Sequence, residues 1–169
     1  MKKIIISFFF ICSCTYLFAQ DFCTNDSTKY LNAYKYIVDD SINQGKNINV
    51  SDTIVDLDRI WFLDNLDSLL EEKEIVKKLT KYSWFPNFYS QNIANLFNCK
   101  KMVPSKTILF FSLIEKNTLC ADLFDNKGSL NEFNYNWIAS QNRSHMYLFF
   151  FESNGNIKYI FRKEICYSF

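Results

Sequence analysis

Glycine, proline and histidine are scarce in this chain, with 3 Gly, 2 Pro and 1 His among 169 residues. So few glycines leave no room for loops that cradle phosphates. Neither G-x-G-x-x-G nor G-x-x-x-x-G-K-[ST] occurs, which excludes nucleotide binding of those kinds. Because His145 stands alone, any Ser-His-Asp or Cys-His centre has to use it, and no Gly-x-Ser-x-Gly elbow accompanies it. A C-x-x-C pair is missing too, which removes thioredoxin-like redox chemistry and zinc ribbons. No cofactor is implied. An excess of one charge is also lacking, and a near-neutral chain has no electrostatic reason to seek nucleic acid or an anionic membrane.

The chain has 18 Phe and 10 Tyr, and is 49% hydrophobic. That excludes disorder and supplies a core. Phe, Ile, Asn, Lys and Tyr share AT-rich codons, which accounts for the aromatic excess without a ligand pocket. With glycine scarce, asparagine has to serve many turns, since it tolerates left-handed backbone.

Met1-Lys2-Lys3, the apolar stretch Ile4–Ile11, and Leu17-Phe18-Ala19-Gln20 before Asp21 form a basic start, a short greasy run and a small residue at a cut. These are the parts of an export signal, and the segment resembles bacterial Sec leaders ending in Phe-Ala-Gln. The greasy run breaks at Cys12–Thr15, too early for a membrane anchor of about 20 residues. The expectation is a signal peptide over 1–20 and one domain over 21–169, with no transmembrane segment once the leader is gone. The alternative is a lipid anchor at Cys14. Losing Lys2 and Lys3 takes Lys+Arg from 19 to 17 against 18 Asp+Glu, a mature charge of about −1.

Of the 6 Cys, Cys23, Cys99, Cys120 and Cys166 follow the leader. In an oxidising compartment they are candidates for two disulfides with three connectivities, or for small buried hydrophobes.

Tyr30, Leu31, Tyr34, Ile37, Val38 and Ile42 recur at three and four residues and predict a helix over 28–44, capped by Ser27 or Thr28 and closed at Gly45. The β-prone stretch 48–63 predicts a strand. Ser68-x-x-Glu71 has the form of a capping box opening a second helix over 69–82, and a short third helix is expected over 90–98. Residues 107–114 and 118–124 predict a hairpin around Glu115-Lys116-Asn117. Alternating Phe133, Tyr135 and Trp137 suggest a short strand or packed loop. Asn154-Gly155 between apolar runs is a hairpin signal, and its register would put Phe150 opposite Tyr159, Leu148 opposite Phe161, His145 opposite Glu164 and Tyr147 opposite Arg162. The predicted class is α+β, with the N-terminal helix and a second helical segment on one face of an antiparallel sheet built mainly from C-terminal hairpins.

Candidate chemistry is thin. His145 and Glu164 make one pair, and Asp56 with Asp58 is the centre of an acidic cluster running from Asp52 to Asp67. Paired carboxylates on one face are what acid–base hydrolysis or calcium would need, although no EF-hand pattern follows. The expected function is therefore a non-catalytic exported binding or interaction domain for a small hydrophobic ligand or a protein. One alternative is a small extracytoplasmic hydrolase using His145 or the Asp52–Asp67 cluster. The other comes from Phe161, Ile165, Tyr167 and Phe169, whose alternation resembles the closing strand of an outer-membrane β-barrel.

Overall fold

The computed structural model describes residues 26–80, 86–90, 93–97, 106–125, 135–141 and 143–167. The leader 1–20 with Cys14, and Cys23, Cys99 and Phe169, lie outside the described residues.

Helix α1 covers 26–39. Its buried residues Tyr30, Ala33 and Ile37 keep the three-and-four spacing that puts them on one stripe. Ser27 and Thr28 lie inside the helix rather than capping it. The chain leaves α1 through a 3-10 turn, Ser41–Asn43, where the Asp40 side chain accepts from the Ile42 N–H. Gly45 then takes φ 76°, the left-handed position for which its lack of a Cβ suits it.

The expected strand over 48–63 breaks into three pieces. Strand β1, Ile48–Val50, joins the main sheet, whereas β2, Thr53–Val55, pairs with β3, Phe88–Ser90, in a separate two-stranded sheet. The Asp58 side chain then accepts from the Ile60 N–H and turns the chain into a 3-10 helix, Ile60–Leu66. Phe62 and Leu66 are thereby buried, and Trp61 is left exposed. Helix α2, Leu70–Leu79, follows. The capping box does not form: Leu69 occupies the cap position and no side chain bonds there. Instead Glu71 and Glu72 in the first turn and Lys77 and Lys78 in the last complement the helix dipole. Part of the expected third helix is a 3-10 turn, Ala94–Phe97.

Strands β4, Thr107–Phe111, and β5, Thr118–Asp125, form the first predicted hairpin. Lys116 and Asn117 both take positive φ, 48° and 58°, the backbone of a two-residue turn that matches strand twist. Helix α3, Tyr135–Gln141, stands where aromatic alternation suggested strand or loop. Tyr135, Ile138 and Ala139 are the residues it buries, at helical spacing. Strands β6, Arg143–Phe151, and β7, Ile157–Cys166, complete the sheet in the order β1-β4-β5-β6-β7.

All four expected pairings across β6 and β7 occur. They arise by compensation. The loop holds three residues, Ser153 to Gly155, closed by Glu152 N–H to Asn156 O at 2.9 Å and carrying Gly155 at φ 85°. That loop shifts the pairing by one residue, and a bulge beside Phe150 and Phe151 shifts it back.

The α+β class and the C-terminal hairpins are as expected. Two details differ. The sheet is mixed, since β1 runs parallel to β4. The helices also lie on both faces rather than one. Phe110, Cys120, Phe124, Met146, Leu148 and Phe150 face α2, α3 and the 3-10 helix 60–66. Leu109, Phe111, Leu119, Ala121, Leu123, Tyr147 and Phe149 alternate with them and face α1. Near-continuous apolar strands such as β4 are the composition such double coverage requires. The described strands thus make an open sheet with β1 and β7 at its edges. Its covered faces are not those of a barrel meeting lipid, so that alternative does not describe these residues. No helix among the described residues is long and apolar enough to cross a membrane.

Candidate functional site

The structure does not bring the sequence candidates together. His145 sits on β6 opposite Glu164, on the face that carries α1. Burial lowers its pKa, nearby Lys46 adds to this, and Glu164 opposes it, so the imidazole favours its neutral form. Arg143 approaches Glu164 at 3.5 Å on the open surface. Asp58 belongs to the opposite face, where it acts electrostatically on Cys120. Burial raises the Asp58 carboxyl, and its bond to the Ile60 N–H shows it turning the chain. Asp56 is half-buried, and its backbone N–H extends the β2–β3 pairing to Asn87 O at 2.9 Å. Asp52, Asp64 and Asp67 are exposed, and Asp67 pairs with Lys73. Among the described residues no cluster of three or more His, Cys, Asp or Glu is placed to hold a metal ion.

Cys120 and Cys166 are free thiols, so a disulfide between them does not form. They lie on different strands: Cys120 is buried on the central strand β5 and Cys166 ends the exposed edge strand β7. Burial pushes the Cys120 thiol up to about 12, which leaves it an inert core side chain.

Two polar networks cross the core instead. On the α1 side, Tyr147 donates to Asp40 Oδ2 at 3.1 Å, and Asn43 donates to Tyr147 Oη at 3.1 Å and to Ile37 O at 2.7 Å. Arg162 on β7 places one nitrogen 2.8 and 2.7 Å from the two Asp40 oxygens. This clasp pins the end of α1 to β6 and β7. Burial disfavours the Asp40 anion, but Arg162, the Ile42 N–H and Tyr147 outweigh it and hold the carboxyl below the usual range. A carboxyl lowered in the folded state adds stability above its unfolded pKa and loses it as pH falls. Urea titrations from about pH 5 down to about pH 2 should therefore show Asp40→Asn losing less stability on acidification than the parent.

The second network is centred on Asp122, fully buried within β5. Tyr135, the first residue of α3, donates to Asp122 Oδ2 at 2.9 Å, and Tyr167, just past β7, donates to the same oxygen at 2.6 Å. The two phenol oxygens are 3.1 Å apart. Ser144 on β6 is a diagonal neighbour on the same face, near enough to act on the carboxyl. Yet Asp122 Oδ1 and Ser144 Oγ make no well-formed hydrogen bond, and both are closed off from solvent. Buried polar atoms left in this state call for an explanation. The sequence signal for it was available: Asp122 is the one charged residue inside Thr118–Phe124, on the same pleat as Cys120 and Phe124.

Arg59 is another buried charge on this face. Its guanidinium reaches Glu115 at 3.2 Å and Leu113 O at 3.3 Å, while its Nε has no partner.

In comparisons with known proteins, the chain matches no family model, no curated protein and no solved structure.

Proposed function

We propose that the protein is an exported binding domain that recognises a protein partner through its outer surface and does no chemistry of its own. The outer side of α1 carries this reading. The apolar stripe of this helix is wider than the core beneath it. Tyr30, Ala33 and Ile37 are buried, but Leu31, Tyr36 and Val38 stay 41%, 40% and 38% exposed. Leu31 and Val38 lie two turns apart on one side of the helix, next to Tyr34, which packs on Phe97 with ring centroids 4.7 Å apart. Such a run of exposed apolar side chains is informative where scattered ones are not. A partner on the outer surface is also favoured over a small ligand beneath the sheet, since both sheet faces are filled by side chains.

A photo-crosslinking residue at position 31 or 38 of the full chain, expressed in its own cells, should give one discrete protein adduct. Combining the probe at 31 with Val38→Glu should abolish that adduct while changing stability by no more than about 0.5 kcal/mol, as expected at an exposed site. Absence of any adduct at both positions in folded, exported protein would overturn the proposal. Export rests on residues 1–20. The intact mass of the mature protein should correspond to a start after Ala19 or Gln20, and a start at a lipidated Cys14 would replace a free protein with an anchored one.

A further inference from the structure

We propose that Asp122, Ser144, Tyr135 and Tyr167 form a proton-operated latch, in which the protonated Asp122 carboxyl holds α3 and the end of β7 onto the sheet and loss of that proton loosens both. The geometry begins with convergence. Asp122 comes from β5, Ser144 from β6, Tyr135 from α3 and Tyr167 from the residue after β7. One carboxyl oxygen, Oδ2, accepts from both phenols. The other, Oδ1, makes no well-formed hydrogen bond, and neither does Ser144 Oγ of the diagonal neighbour on the same face. A hydrogen bond between Oδ1 and Ser144 Oγ would satisfy both atoms with either form of the carboxyl, the acid donating to Oγ or the anion accepting from the hydroxyl.

What the anion lacks is a cation beside it to offset its buried charge. Phe110, Phe124, Met146 and Ile138 line this part of the face. The described residues of α3 and β4 carry no charge. Among the described residues the charged groups on this side include Arg59, Asp58 and Glu115, gathered near Cys120, Lys163 on β7, and Glu72 of α2, which pairs with Lys158 at 2.8 Å. Arg59 is committed to Glu115 and Leu113 O, and Lys163 donates to Trp61 O at 2.7 Å. Burial outweighs the three hydroxyls and lifts the Asp122 carboxyl above the ordinary aspartate range.

The sign follows from linkage. An acid whose pKa is raised by folding contributes its full stability below the unfolded value. That contribution declines as pH rises and levels off above the folded value. Asp122→Asn mimics the protonated acid at every pH, with its oxygen accepting from the phenols and its amide donating to Ser144 Oγ. In urea unfolding of the full mature chain, the folding equilibrium constant of Asp122→Asn relative to the parent should rise by up to about tenfold per pH unit, starting near pH 4. Amide exchange in 135–141 and 164–167, corrected for intrinsic rates, should speed up with pH in the parent and not in the variant. The side-chain carboxyl ¹³C resonance of Asp122 should titrate above the ordinary range, and Tyr167→Phe, which removes a donor, should move that titration higher still. Parallel pH profiles for the parent and Asp122→Asn would overturn the latch. So would a carboxyl that titrates in the ordinary range, a measurement on the parent that stands even if Asp122→Asn fails to fold.

Discussion

Truncating Phe149 to alanine is expected to destabilise the protein by about 4 kcal/mol, and truncating Phe124 by a similar amount. Both side chains are fully buried, on opposite faces of the sheet. Phe149 stacks between Tyr147 and Phe151 and meets Tyr36 of α1 edge-on, at centroid distances of 6.1, 6.1 and 5.9 Å. Phe124 meets Phe110 and Tyr135 edge-on, at 6.1 and 5.7 Å. In a sheet covered on one side only, one set of alternating residues would face water and its truncation would be nearly neutral. With both sides covered, each truncation removes about the same apolar contact and leaves a hole between two layers that cannot close. Since domains are stable by only about 5–15 kcal/mol, either loss is large enough to read from the urea midpoint. A loss under about 1 kcal/mol at Phe149 would mean that α1 does not cover that face.

Much of this architecture was legible in the residues, and the failures have physical causes. The pairing of β6 with β7 was readable from the Asn154-Gly155 turn between apolar runs, and the three-residue loop and the bulge then offset each other to keep that register. The turn at Lys116-Asn117 was readable from its polar residues between apolar runs. Residues 48–63 misled because β-branched residues mark strand without saying which sheet, and Asp58 ends the run by a local hydrogen bond. Tyr135 and Trp137 misled because a segment of seven residues is too short to separate a period of 2 from one of 3.6. The site was harder. His145 and the Asp52–Asp67 cluster drew attention by residue type, but the fold puts His145 and Asp58 on opposite faces. Asp122 lay in an apolar run and was passed over, although an acid on the core side of a strand is the costlier feature to keep.

Removing Glu115 should cost more than removing the arginine it pairs with. The Arg59 side chain is 1% exposed and that of Glu115 is 32% exposed, so water can solvate a widowed carboxylate but not a widowed guanidinium. Glu115→Ala leaves a cation in the core with Leu113 O as its remaining hydrogen-bond partner, and a loss of about 3 kcal/mol is expected. Asp58 is close enough to act on Arg59, which keeps the loss at the lower end of the range for broken buried pairs. Arg59→Met keeps most of the side-chain length, removes the buried charge together with its unpartnered Nε, and should cost about 1 kcal/mol or less. The double variant should then be more stable than Glu115→Ala alone, because the methionine removes the charge that the alanine left behind. Urea unfolding of the three variants gives the cycle directly. If Arg59→Met were the costlier single change and the double variant recovered nothing, Arg59 would be held in place by packing of its stem rather than by its charge.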